Sequence, residues 1–379
     1  MTTGLSPTRV LHLCAGNLYG GVERIVSECA ADRGLCPEMS PTFAVCFEGR
    51  LSEEIDASGA PCARLGAARL SRPWTVVRAR RRLAALLDGM DAQPIVVVCH
   101  SSWIYALAAP VVRKAGATLV LWLHNTVSGG SWPEWWARRT RPDRIIANSR
   151  FTGESVSALY AGASHAVLYA PVHTDASGAD RSTLRTFLGA DPLTPVILVA
   201  SRFEACKGHR ALLAAVAQIA EPWQLWIAGK AQRPSEDAYE QDLRRYAKAL
   251  GVEERVRFIG ERRDVAACMR AADIFCQPNI TPESFGLTFV EALYAGIPVV
   301  TTALGGAMEI LTGACGVLVP PGDERALVAG LRYLVADRDA RLRLGAAGPV
   351  RAQELCDPRR QLAALAALVS GSNGPRVPA

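Results

Sequence analysis

Residues 281–300 read TPESFGLTFVEALYAGIPVV. A Pro/Ser/Gly-flanked loop leads into an apolar helical run, Gly296 and Pro298 stop it, and a strand-like "IPVVTT" follows at 297–302. A helical run feeding a short apolar strand is half of a βαβ unit, and the alternation continues in both directions. "GVLVP" (316–320) follows, and "PVILVA" (195–200), "WQLWIA" (223–228), "RVRFIG" (255–260) and "DIFCQP" (273–278) precede. An earlier series reads "RVLHLC" (9–14), "TFAVCF" (42–47), "IVVVC" (95–99), "TLVLWL" (118–123) and "RIIAN" (144–148). Two such series predict an α/β chain of two Rossmann-like, doubly wound domains facing a cleft, with ligands at the carboxyl ends of the strands.

The expected boundaries follow from composition. Residues 1–172 form an N-terminal, acceptor-side domain, and 173–190, within "APVHTDASGADRSTL" and its continuation, form a linker rich in Gly, Ser, Asp and Thr. Residues 191–355 form the second domain, 356–371 a C-terminal helix returning towards the first, and 372–379 a loose tail. "ELCDPRRQLAALAALVSG" reads as that last helix.

With 379 residues, 50% hydrophobic and 21% charged, the chain has the makings of two large cores rather than of disorder. Its net charge of +6 permits an anionic ligand or surface without implying nucleic acid, and no nucleic-acid module accompanies it. The eleven cysteines are scattered singly, without a Cys-x-x-Cys, several inside apolar runs, which reads as buried reduced thiols. Neither a signal-peptide pattern nor a membrane-length apolar run is seen, so the expected location is cytoplasmic, with room for docking on the inner face of the membrane.

Glu283 and Glu291 are separated by seven residues. Were the whole segment helical, eight steps of about 100° would leave Glu291 about 80° past two full turns from Glu283. The carboxylates then face one side but not one point, and suit two hydroxyl-bearing parts of a single extended ligand. Between them the helix start at Phe285, Gly286 and Leu287 offers backbone N–H groups to an anion, with Gly286 permitting close approach. A nucleotide sugar has that layout: sugar hydroxyls, diphosphate, ribose hydroxyls. Its diphosphate also needs cations, and "VILVASRFEACKGHRAL" supplies Arg202 and Lys207 directly after a strand. Taken alone, those two could equally be solvated loop charges.

In order, "SRFEACKGH", "PESFGLTFVEALYAGIPVVTTALGG" and "GVLVPPGD" resemble the retaining nucleotide-sugar glycosyltransferases of family four, with the GT-B fold. The resemblance runs through most of the chain and is sharpest between 196 and 323; the Glu283–Glu291 spacing is that family's Glu-x7-Glu motif. It implies that Glu283, with Ser284 beside it, holds sugar hydroxyls and Glu291 the ribose, that Arg202 and Lys207 hold the diphosphate, and that Arg262 and Val265 lie near the nucleobase. The pair Gly20 and Gly21 in "CAGNLYGGVERIV" would approach the donor phosphate, and His124 in "LVLWLHNTVSG" would lie beside the reacting sugar. His100 in "VVVCHSSW" is a weaker acceptor-side candidate, and Asn148, Ser149 and Arg150 follow another strand near the cleft. A histidine after a strand is more often a satisfied structural residue than a catalytic one. One departure is Met308 in "GGAMEIL", where the family commonly has Pro.

The stretch Pro61–Leu87 holds seven arginines (Arg64, Arg69, Arg72, Arg78, Arg80, Arg81, Arg82) and no acid, and "SWPEWWARRTRPDR" adds Trp132, Trp135 and Trp136 beside Arg138, Arg139 and Arg141. Arginine with interfacial tryptophan suits an anionic membrane surface or acceptor; a solvated basic face with tryptophans packed inward is the other reading.

The resulting expectation is a retaining transferase that moves a sugar from a nucleotide diphosphate sugar, UDP ahead of GDP, to the hydroxyl of a glycan, lipid-linked or small-molecule acceptor. The proposed catalytic set is Glu283, His124, Arg202 and Lys207. No cofactor and no metal are expected, because Arg202, Lys207 and the helix start would neutralise the departing diphosphate. The sole Asp-x-Asp, Asp337–Asp339 in "ADRDARLR", lies in a charged helical region without phosphate context. A sugar-nucleotide epimerase of the same fold and a non-catalytic nucleotide-sugar-binding protein are the alternatives.

Overall fold

The computed structural model describes residues 7–90, 95–173 and 178–371. The chain divides into two compact units, Met1–Val172 with Cys356–Ala379, and His173–Leu355. The expected tail at 372–379 lies outside the described residues, as do 174–177 of the expected linker.

In the first unit the strands are β1 (Thr8–Cys14), β2 (Met39–Val45), β3 (Cys62–Arg64), β4 (Ile95–Cys99), β5 (Thr118–Leu123), β6 (Arg144–Ala147) and β7 (Ala166–Val167). They form one parallel sheet in the order β3-β2-β1-β4-β5-β6-β7. The second unit has β8 (Val196–Ala200), β9 (Gln224–Ala228), β10 (Val256–Gly260), β11 (Ile274–Gln277), β12 (Val299–Thr302) and β13 (Gly316–Val319), ordered β10-β9-β8-β11-β12-β13 and again parallel. Each is the doubly wound arrangement that the alternating runs predict. β4 and β8 are buried at every position, as expected of central strands covered on both faces. β3 and β7 escaped the sequence reading because three and two residues carry no periodicity to detect.

The first core packs Leu11, Leu13, Val97, Leu119 and Leu121 of the sheet against Ile104, Leu107 and Ala108 of the helix Ser102–Lys114. The second sets Ile197, Val199, Leu225 and Ile227 against Leu212, Leu213, Leu331 and Leu334.

Three expectations are corrected. Part of the stretch read as linker is folded: the helix Arg181–Phe187 belongs to the second unit, and Arg181 and Arg185 pair with Asp273 at 2.6 and 3.0 Å. The C-terminal segment is not one helix. Asp357 ends the helix Arg338–Cys356 and caps the next, Pro358–Ser370, accepting from Arg360 N–H at 2.8 Å, while Pro358 has no N–H to continue the first. That last helix packs in the first unit, where Arg144 Nη1 donates to Val369 O at 2.5 Å. Finally, the segment 283–291 is not helical throughout. The helix spans Leu287–Tyr294 and Glu283 lies before it, bridged to Gly305, so the angle computed for a continuous helix does not apply.

None of the eleven cysteines is in a disulfide and nine of them are buried, as the sequence suggests. Among the described residues no helix is long and apolar enough to cross a membrane.

Candidate functional site

The chain order of the second sheet reverses between β8 and β11, the crevice where open α/β sheets place ligands. The loops leaving these two strands carry most of the predicted donor contacts. Arg202 leaves β8 two residues past its end, and Lys207 closes a 3₁₀ turn, Ala205–Lys207. Gly208 follows at φ +76°; a Cβ there would lie 1.9 Å from Pro278 O, so only glycine lets the β8 loop touch the chain leaving β11.

The close approach brings together groups distant in sequence. Lys207 Nζ donates to Glu283 Oε2 at 2.6 Å, and Asn279 Nδ2 donates to the same oxygen at 3.3 Å. Asn279 Oδ1 accepts from Gln277 Nε2 at 3.1 Å, and Gln277 O accepts from Thr301 Oγ1 at 2.6 Å, tying the chain to β12. Glu283 Oε1 makes no hydrogen bond among the described residues. The backbone of Glu283 is fixed from the other side, its carbonyl accepting from Gly306 N–H at 2.8 Å. Gly305 and Gly306 are required for this contact, since Cβ atoms there would fall 2.2 Å from Glu283 O and 2.5 Å from Phe285 Cα.

Arg202 faces two carboxylates, Glu204 at 2.9 Å and buried Glu236 at 3.7 Å. His209 lies beneath this loop, its Nε2 3.1 Å from Ser201 Oγ; burial, reinforced by the Lys207 charge, lowers its pKa to about 4. Gly286 caps the helix Leu287–Tyr294 at φ +113°, so the helix begins one residue beyond the N–H groups of Phe285 and Gly286 named from sequence. Phe285 is buried, and Ser284 and Glu291 are half-buried. Arg262 is held in a bidentate pair with Asp264, at 2.8 and 2.6 Å, and half-buried Val265 begins the helix Val265–Ala271.

In the first unit Gly20 caps the helix Gly21–Ala31, and its N–H donates to Glu23 Oε2 at 3.1 Å. His100 and His124 are both buried and joined, His100 Nδ1 to His124 Nε2 at 2.9 Å. Both therefore sit in a buried, hydrogen-bonded network. His12 was not singled out, yet its Nδ1 lies 2.9 Å from His100 Nε2. Burial lowers the pKa of His12 to about 4 and of His124 to about 3, and holds that of His100 well below the usual value. Asn148 Nδ2 donates to His124 O at 3.0 Å. Ser149 serves as a helix cap, its Oγ accepting from Thr152 N–H at 2.9 Å, and Arg150 is exposed.

Sequence reasoning missed Asn279, Gln277, Glu236 and His12. The signal for His12 was a polar residue inside the apolar run "RVLHLC"; Glu236 sits in an otherwise polar helix and carried none.

The tryptophans point outward. Trp132, Trp135 and Trp136 are 45%, 52% and 48% exposed, which overturns the inward-packed reading, and Trp74 at 61% joins them. Arg139 stacks over Trp135 and Trp136 at 3.6 and 4.2 Å. Not every arginine nearby is free: Arg64 pairs with Asp56, and Arg80 donates to Leu107 O and Ala106 O at 2.9 and 3.2 Å.

Comparison with known proteins agrees with this framework. Residues 19–176 match the family described as Glycosyltransferase Family 4, and residues 180–351 match Glycosyl transferases group 1. A phosphatidyl-myo-inositol mannosyltransferase of Mycobacterium leprae is 39% identical over 167 residues, 42% of each chain. A GDP-mannose-dependent monoacylated alpha-(1-6)-phosphatidylinositol monomannoside mannosyltransferase of Corynebacterium glutamicum is 36% identical over 186 residues, covering 46% of this chain and 47% of its own. The chain thus spans about half the length of these curated relatives. Among solved structures, HepE of Anabaena with UDP and glucose superposes with TM-score 0.83 at 23% identity, over 96% of this chain and 100% of that one, which bears on fold alone. With two matched regions that cover both Rossmann-like units, this chain belongs to the family-four glycosyltransferases of GT-B fold.

Proposed function

We propose that this protein transfers a sugar from a nucleoside diphosphate sugar to an acceptor hydroxyl, with retention at the anomeric carbon and without a metal ion. The observation that carries the reading is the convergence of Lys207, Asn279 and Glu283 at the carboxyl ends of β8 and β11, with Arg202 on the same loop after β8. Arg202 and Lys207 would take the two phosphates and stabilise charge on the departing diphosphate, the costly event of the reaction. Glu283, with one oxygen held by Lys207 and Asn279, would accept from sugar hydroxyls through the other. Glu291 would accept from the ribose, and Arg262 and Val265 would border the base. His124 would meet a hydroxyl of the substrate bound on the first unit. Glu283 is not assigned as a nucleophile, because the paired-acid logic of glycosidases needs two carboxyls flanking one bond.

For the base, a neighbour of like fold was solved with UDP, while a relative is named as GDP-mannose-dependent. UDP-sugars are the first donors to test and GDP-mannose the second. The printed names of the relatives, phosphatidyl-myo-inositol and D-inositol 3-phosphate among their substrates, support an acceptor bearing phosphate. The exposed tryptophans and arginines of the first unit would suit docking on an anionic lipid surface. The deciding experiment incubates each donor with phosphoinositide and inositol phosphate acceptors and determines the anomer of the product by proton NMR. A product of inverted configuration would reject retention, and an isomerised donor formed without acceptor would favour an epimerase.

A further inference from the structure

His12 stands in β1, and His100 and His124 directly follow the neighbouring strands β4 and β5. The register makes them a diagonal. His12 pairs across with Val98, and His100 lies two residues beyond Val98; Cys99 pairs with Leu121, so His124 lies a further two residues along. Steps of two keep all three rings on one face of the sheet. Both contacts between the rings are 2.9 Å, and the last two ring planes are within 9° of each other.

Three neutral imidazoles carry three protons, and the two shared hydrogen bonds use two of them. The third proton must lie at an end, on His12 Nε2 or on His124 Nδ1, and the choice sets every ring between. The ends are not equivalent. His12 is 1% exposed beside Phe43, and its Nε2 has no hydrogen-bond partner. An N–H stranded there costs more than a lone pair, since buried unpaired N–H groups are the rarer defect. At the other end His124 Nδ1 is likewise buried and unpartnered, but so is Asn148 Oδ1, on the side chain whose Nδ2 holds the His124 carbonyl. A donor and an acceptor together match one hydroxyl group.

We infer that the ladder fixes His124 as its Nδ1–H tautomer, so that this ring donates a hydrogen bond to a substrate hydroxyl oxygen and does not act as a base, with His12 and His100 as positioning residues. The downward displacement of all three titrations by burial keeps the rings neutral, as the scheme requires. This assignment rests on the proposed function.

The test is a long-range proton–nitrogen correlation spectrum of the full chain with 15N-labelled histidine. The wild-type protein at neutral pH should show His12, His100 and His124 as neutral Nδ1–H rings. His12→Leu removes the first donor and should release His124 into a tautomer mixture, lowering kcat roughly threefold to tenfold with KM for the donor little changed. His12→Asn, whose amide can donate near the former Nδ1 position, should restore both the spectrum and the rate. An Nε2–H or charged His124 in the wild type, or an unaltered His124 in a folded His12→Leu, overturns the inference. If His12→Leu does not fold, the wild-type spectrum and the Asn variant decide. The tautomer readout needs no turnover, so an absent transferase activity would count against the proposed function and not against the ladder.

Discussion

Lys207 Nζ and Glu283 Oε2 lie 2.6 Å apart, joining two residues that the sequence assigns to different parts of one donor. The cation expected on the diphosphate and the acid expected on the sugar are therefore partners in the folded chain, both partly shielded from water. Truncating either one alters the other, and this reshapes what substitution at Glu283 should do.

Glu283→Ala frees Lys207, so affinity for a nucleoside diphosphate should be unchanged or higher, while transfer falls because the sugar loses its acceptor. Glu291→Ala should weaken the nucleoside diphosphate and the donor alike, by about ten- to a hundredfold for a charge-assisted hydrogen bond to ribose. Arg202→Ala and Lys207→Ala should impair both. Calorimetry with UDP and GDP on the four variants, beside transfer rates, checks the assignment; equal losses for the two Glu variants would refute it.

Transfer should persist in EDTA, because side-chain cations and a helix start are proposed to neutralise the diphosphate. Activity abolished by chelation and restored by magnesium or manganese would reject that mechanism.

Anionic vesicles should bind at low salt and release as salt rises. Trp135→Ala with Trp136→Ala, and separately Arg78→Gln with Arg81→Gln, should weaken binding without changing nucleotide affinity, since all four are exposed. Arg80 is excluded from this set because its guanidinium holds two carbonyls of the neighbouring helix. Cosedimentation that is absent at every salt concentration would leave the face as merely solvated.

Stability should fall on acidification between pH 6.5 and about 4. His12 is depressed in the fold from 6.5 to about 4, so the unfolded chain binds the proton first and stability drops as pH falls through that window. The upper limit for this one group is on the order of 3 kcal/mol. Thermal melts across the window should show a shallower slope for His12→Asn, and an identical slope would deny His12 any part in it.

Gly305→Ala should destabilise the second unit by about 2 kcal/mol or more and move Glu283, because a Cβ at φ +58° would meet the Glu283 carbonyl at 2.2 Å. Chemical denaturation measures the first effect. Loss of transfer with retained nucleoside diphosphate binding measures the second.

What the sequence by itself determined was local. Runs such as "PVILVA" and "IVVVC" announce buried parallel strands because both faces are covered, and Gly296 and Pro298 mark a helix end by backbone chemistry alone. Arg202, Lys207, Glu283 and Glu291 were singled out by motif order and spacing. Their partners were not: Lys207 meets Glu283 across 76 residues and His12 meets His100 across 88, separations over which no periodicity runs. Only strand order and register bring such groups together. The same holds for the tryptophans, whose outward direction depends on what the sheet leaves uncovered, and for Gly305 and Gly306, whose missing side chains matter because the backbone of Glu283, Ser284 and Phe285 occupies the space.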